Sequence, residues 1–153
     1  MKDIKEIIKS MTLEDKIALC SGDNFWETKA FEKYGIPPMF MCDGSHGLRK
    51  QDRGSGADML GVNESRPATC FPAEVITAAS WDPDIMEEIG TAIGREARQQ
   101  KSGMVLGPGA NIKRNPLCGR NFEYFSEDPY LTGKLAAGFI KGLEGEGISA
   151  SMK

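Results

Sequence analysis

The chain is poor in the residues from which metal centres and nucleophile–base sites are made. It has a single histidine, His46, and four cysteines, Cys20, Cys42, Cys70 and Cys118, with no C-x-x-C spacing. A structural zinc site needs four suitably spaced soft ligands, and none is offered. No G-x-x-x-x-G-K-[ST] phosphate loop is present, and Gly107-Pro108-Gly109 runs on to Ile112 where a dinucleotide fingerprint needs its third glycine. There is no G-x-S-x-G nucleophile elbow. The composition therefore calls for no metal and no cofactor.

Long hydrophobic runs are missing as well. No stretch approaches the ~18 apolar residues of a membrane span. The start, Met-Lys-Asp-Ile-Lys-Glu, is charged in both signs and lacks the apolar segment of a signal peptide. A cytoplasmic, reducing setting with free thiols is expected, and no membrane partner. Asn63-Glu64-Ser65 matches a glycosylation sequon but has no secretory context. Nor is there an excess of one charge: 19 basic and 22 acidic side chains give a formal net charge of -3, which argues against electrostatic nucleic-acid binding.

What is present is glycine. Eighteen in 153 residues is about 12%, against the ~7% of average usage, and eight prolines accompany them. Many special turns and close backbone approaches are expected. Hydrophobic residues at 40% and charged residues at 27% fit a globular chain. A length of 153 residues suits one ordinary domain but falls short of the ~250 of a complete eight-stranded α/β barrel.

Local signals order the elements. The first twenty residues read as helical, with Thr12 and Asp15 as a capping pair and Gly22 as the close. Met39–Cys42 reads as a buried strand stopped at Asp43-Gly44. Residues 44–70 form a polar loop. Val75–Ala79 reads as a second strand, though its alanines leave helix open. Asp82-Pro83-Asp84 starts a helix with an apolar face of Ile85, Ile89, Ala92, Ile93 and Ala97. Met104–Leu106 is a strand, residues 107–128 a second polar loop, and Asp128-Pro129 opens a helix faced by Leu131, Leu135, Ala136, Phe139, Ile140 and Leu143. Ile148–Lys153 reads as a last strand. Alternation of this kind means parallel strands with helical crossovers, an α/β fold that is either doubly wound or part of a barrel. In both, chemistry collects at the C-terminal ends of strands.

Two loops occupy such ends. In Cys42-Asp43-Gly44-Ser45-His46-Gly47-Leu48-Arg49, a carboxylate able to accept two hydroxyl hydrogen bonds stands near a planar multi-donor guanidinium, a combination suited to a polyol. The plainer alternative is that Asp43 pairs with Arg49 and folds the loop. His46 reads as a hydrogen-bonding loop residue. In the second loop, Arg, Asn, Glu and aromatics alternate, as a sugar pocket requires: flat rings for ring faces and polar groups for hydroxyls. The alternative there is a solvated loop whose aromatics plug the interior.

These segments resemble the N-terminal domain of family-3 glycoside hydrolases, the β-glucosidase family. The likeness lies in M-T-L-E-D-K at 11–16, D-G-S-H-G-L-R at 43–49, F-P-A-E at 71–74 and A-A-S-W-D-P at 78–83. It continues through L-G-P-G-A-N-I-K-R-N-P-L-C-G-R-N-F-E-Y-F-S-E-D-P-Y at 106–130 and the final S-M-K. The resemblance is colinear over essentially the whole chain. It implies an α/β fold that is the N-terminal portion of a TIM-like (β/α)8 barrel, with residues 1–153 as an incomplete part of a single barrel domain that appears truncated at Lys153. It implies retaining hydrolysis of a terminal β-linked sugar, with a carbohydrate substrate and the remainder of the same enzyme, or a complementary chain, as partner. By resemblance Asp43, Arg49, Arg120 and Lys153 line the reacting sugar's subsite, and Asn121, Glu123, Gly107, Pro108 and Gly109 support it.

Two departures carry their own expectations. The family's lysine is followed by a histidine, and here the sequence stops at Lys153. Its nucleophile and acid/base carboxyls lie further downstream, so no catalytic residue is expected in this chain and the 153 residues alone are expected to be inactive. A short, non-catalytic sugar-binding or partner-completing α/β protein is the alternative.

Overall fold

The computed structural model describes residues 3–51 and 64–153, so Asn63 of the sequon and residues 52–63 of the first polar loop lie outside the described residues. Two compact units are present, Met1–Phe40 and Met41–Lys153.

In the first unit, α1 (Ile4–Ser10) is capped by Asp3, and α2 (Leu13–Leu19) by Thr12, whose Oγ1 accepts from Asp15 N–H at 3.1 Å. The expected helical stretch is thus two helices, separated by Met11 in extended conformation. A 3-10 turn at Glu32–Tyr34 ends in Gly35, whose φ of 74° lies in the left-handed region. Asp15 Oδ2 gathers Lys33 Nζ at 2.7 Å, Tyr34 Oη at 2.6 Å and Thr12 Oγ1 at 2.9 Å. This convergence of donors holds the Asp15 carboxyl well below the usual carboxylate range, with the Lys33 hydrogen bond as the largest cause.

The second unit is built on three parallel strands in the order β1 (Met41–Asp43), β2 (Met104–Leu106), β3 (Ser149–Ala150). Asp43 is in register with Leu106, and Val105 with Ala150. Short apolar runs cut off by glycine make β1 and β2, with Cys42 and Val105 fully buried at their centre, whereas the expected last strand over 148–153 is reduced to the two residues Ser149–Ala150. The segment 75–79, which the sequence left between strand and helix, is helical: α3 (Glu74–Thr77) followed by a 3-10 turn at Ala78–Ser80. Its alanines favour helix, and Val75 and Ile76 are exposed rather than buried as a strand core would have them.

Two long helices connect the sheet. α4 (Pro83–Gln99) and α5 (Pro129–Gly145) both begin with an Asp N-cap and proline, and in each the aspartate accepts from the N–H two residues on. The expected apolar faces are rotated. α4 buries Met86, Gly90, Ile93, Gly94 and Ala97 and leaves Ile85 exposed, while α5 buries Leu135, Ala136, Phe139 and Leu143 together with Thr132, Gly138 and Gly142. The reason is backbone-to-backbone packing. A Cβ on Gly142 would stand 2.2 Å from Glu87 O, so a side chain there would push the helices apart.

The fold is α/β with parallel strands and helical crossovers, as expected. Among the described residues no helix is long and apolar enough to cross a membrane.

Candidate active site

Parallel pairing brings three chain segments to one end of the sheet. β1 ends at Asp43, β2 runs into Gly107-Pro108-Gly109, and β3 is followed by Ser151–Lys153. The main chain ties these ends together. Lys153 N–H donates to Pro108 O at 3.1 Å, and Ala110 N–H donates to Lys153 O at 2.6 Å. Lys153 therefore sits on the glycine–proline loop, not free of it, and its Nζ reaches Asp43 Oδ1 at 2.7 Å. The two side chains keep 32% and 37% of their surface exposed, so water and solutes reach the pair.

Arg120 comes from the other side. It pairs with Glu123 one 3-10 turn later and lies over the Tyr124 ring, 5.8 Å from its centroid. Glu123, its side chain only 12% exposed, raises the guanidinium's value above the ordinary and keeps it charged. Gly109 makes this approach possible: a Cβ on it would fall 2.1 Å from Glu123 O. Asn121 Nδ2–H donates to Asn115 O at 2.9 Å and braces the same turn. Arg120, Tyr124, Lys153, Asn111, Ala110 and Met152 line a cavity of about 330 Å³.

Of the residues singled out in the sequence, Arg120 and Lys153 line one cavity, and Asp43 is joined to it through its contact with Lys153. Gly107, Pro108, Gly109, Asn121 and Glu123 shape the backbone and charge beneath it. Arg49 is joined to Asp43 through the main chain, its N–H donating to Asp43 O at 2.8 Å. Tyr124, Asn111 and Met152 were not singled out. Tyr124 and Asn111 carried the signal of aromatics and Asn interleaved with Arg and Glu, whereas Met152 had none. Glu74 was also missed. It is 2% exposed, and its Oε2 lies 3.3 Å from His46 Nδ1.

At the C-terminal end of the parallel sheet a carboxylate, Asp43, and two cations, Lys153 and Arg120, stand at or beside an open cavity, a set of groups able to accept from and donate to hydroxyls. Hydroxyls can donate to Asp43 and accept from Lys153 and Arg120.

Comparison with known proteins agrees. Residues 7–153 match the glycosyl hydrolase family 3 N terminal domain, and the chain belongs to that family. It is 56% identical over 151 residues to the thermostable beta-glucosidase B of Acetivibrio thermocellus, covering 99% of this chain and 20% of that protein. It is 45% identical over 146 residues to an exo-alpha-(1->6)-L-arabinopyranosidase of Bifidobacterium longum, covering 95% of this chain and 19% of that one. Among solved structures, beta-glucosidase 3B from Thermotoga neapolitana in complex with glucose superimposes with a TM-score of 0.84 at 36% identity, over 97% of this chain and 22% of that one. The chain spans about a fifth of the length of these relatives. Its fold is the N-terminal portion of the family's TIM-like barrel.

Proposed function

We propose that residues 1–153 form part of one barrel domain of a retaining exo-glycosidase of the β-glucosidase type and supply half of its reacting-sugar subsite. The observation that carries this reading is the Asp43–Lys153 contact at 2.7 Å at the strand ends, with Arg120 lining the same cavity as Lys153. Asp43 accepts hydrogen bonds from two sugar hydroxyls. Lys153, Arg120 and Arg49 donate to oxygens, and Glu123 holds Arg120 in place.

In this reading Asp43 is a binding group, not the nucleophile. Retaining hydrolysis uses two carboxyl groups ~5–5.5 Å apart, one forming the glycosyl-enzyme and the other moving the proton. Asp43 is committed to Lys153 and Glu123 to Arg120, so neither is poised for those roles. The nucleophile and acid/base are assigned to further sequence of the same enzyme, or to a complementary chain. Glucosidases and an arabinopyranosidase both stand among the relatives, so the proposal covers a terminal glycoside and no single sugar.

The test is release of an aryl β-glucoside by purified 1–153. No turnover is expected; turnover abolished by Asp43→Ala would overturn the assignment of Asp43 to binding. Calorimetric titration of the same chain with glucose is expected to give negligible heat. Specific binding would favour a self-sufficient sugar-binding protein.

A further inference from the structure

Glu74 is a carboxylate where an apolar side chain would cost less. It is 2% exposed; Oε2 faces His46 Nδ1 at 3.3 Å, and Oε1 is buried with no hydrogen-bond partner among the described residues. Burying such a group is unfavourable unless it does something a leucine could not. His46 shows what that is. It lies between Asp43 and Arg49 in the loop after β1, and its carbonyl accepts from Phe71 N–H at 2.8 Å, next to the segment that carries Glu74. The edge of its ring meets Phe122, with centroids 6.2 Å apart and planes at 77°. Phe122 sits between Arg120 and Glu123. The imidazole, carried by the Asp43 loop, therefore meets Glu74 on one side and Phe122 of the Arg120 turn on the other.

We infer that His46 and Glu74 are a positioning pair for the sugar subsite. Glu74 accepts the Nδ1–H of His46 and fixes both the tautomer and the plane of the ring. The ring in turn sets the distance between the Asp43 loop and the Arg120 turn. The inference rests on the sugar-binding reading above, but the pair has its own signature. Other charged groups near it are Glu123 and Arg120 on the facing turn and Asp43 and Arg49 on the loop itself. Burial pushes the Glu74 carboxyl up, and Glu123 adds to that push, whereas His46 opposes it.

The experiment is steady-state hydrolysis of an aryl β-glycoside by the complete enzyme that carries these residues. A group that only positions binding residues acts on ground and transition states alike, so KM moves and kcat does not. His46→Ala and Glu74→Leu are each expected to raise KM about tenfold with kcat within about twofold, the loss of one charge-assisted hydrogen bond. His46→Asn, whose amide N–H can reach Glu74 from the Nδ1 position, is expected to stay within about threefold of the parent. Unchanged KM in the Ala and Leu variants, or Asn no better than Ala, overturns the inference. Asp43→Ala run alongside separates the two levels. If it leaves kcat/KM intact, the sugar-binding reading fails and takes the inference with it; if it destroys activity while the His46 variants are neutral, only the inference fails. A reading independent of activity comes from the single imidazole of the 153-residue chain. Its ring ¹⁵N shifts are expected to show a protonated Nδ1 and a bare Nε2, and the opposite tautomer overturns the pairing.

Discussion

Asp15 and Asp43 both hold a lysine at 2.7 Å, yet they belong to different kinds of place. At Asp15 the same oxygen also takes Tyr34 and Thr12, all of them between positions 12 and 34, and the side chain is 16% exposed. Three donors already converge on that one oxygen, which makes a clamp on α2. At Asp43 the lysine comes from 110 residues away, and 37% of the side chain stays open beside a cavity. A carboxylate–lysine distance says nothing about function by itself. What separates clamp from site is how many donors have already been taken and where the remainder points.

The largest effect that would test this contrast is on catalysis by the complete enzyme. Asp43→Ala is expected to lower kcat/KM about a thousandfold, the scale of losing a preorganised charged contact to the reacting sugar. Asp15→Asn is expected to leave kcat/KM within about twofold. Comparable losses in the two variants would erase the distinction between the two aspartates.

Arg120→Lys sharpens the site side of the contrast. It keeps the charge but loses the planar fork that contacts Glu123 and covers Tyr124. A loss of about 10- to 100-fold in kcat/KM is expected, matching one charge-assisted hydrogen bond. No loss would mean that Arg120 acts only as a distant positive charge.

On the clamp side, Asp15→Asn is expected to lower the thermal midpoint of the chain by a few degrees at pH 7. Asp15 is held below its unfolded value, so its contribution is full above the ordinary carboxylate range. It declines as pH falls through about 4 and below, where the unfolded chain takes up protons first. Melting curves of parent and variant are therefore expected to draw closer as pH falls from 5 to 2.5, values chosen to run through the usual carboxylate range near about 4. A gap that persists unchanged at low pH would show that packing, not charge, carries the effect.

These contrasts were unevenly legible in the sequence. The starts of α4 and α5 could be read from Asp82-Pro83 and Asp128-Pro129, because a cap and a proline act within one turn. Their buried faces could not. Apolar counting selected Ile85, but Gly90 and Gly142 decide the contact, and a glycine adds nothing to a hydrophobic pattern. The segment 75–79 was ambiguous because a short run of Val, Ile, Thr and Ala satisfies either period. At the site, Asp43 and the 107–130 loop followed from strand ends and residue types. The meeting of Asp43 with Lys153 depends on parallel register and is not a local property. Glu74 was hidden because a glutamate in a sequence reads as surface, and only its burial against His46 marks it.

Glu74 also provides the smallest test, with the opposite sign from Asp15. Burial raises its folded-state value, so the folded chain holds the proton more tightly than the unfolded chain does. Its contribution to stability is full below the unfolded carboxylate range and is lost as pH rises through the raised value. Glu74→Gln keeps an acceptor for His46 Nδ1–H and removes the charge. Parent and variant are therefore expected to melt together near pH 4, and the variant to gain about 2 °C by pH 8, a fraction of a kcal/mol for a chain of this size. Asp15→Asn loses stability as pH rises from acid, whereas Glu74→Gln gains it. Melts of the two variants across one pH series would thus show whether a carboxylate is held by its donors or tolerated in spite of its burial. A Glu74→Gln variant that loses stability toward alkaline pH would mean that the His46 contact outweighs the cost of burial, which would place Glu74 with Asp15.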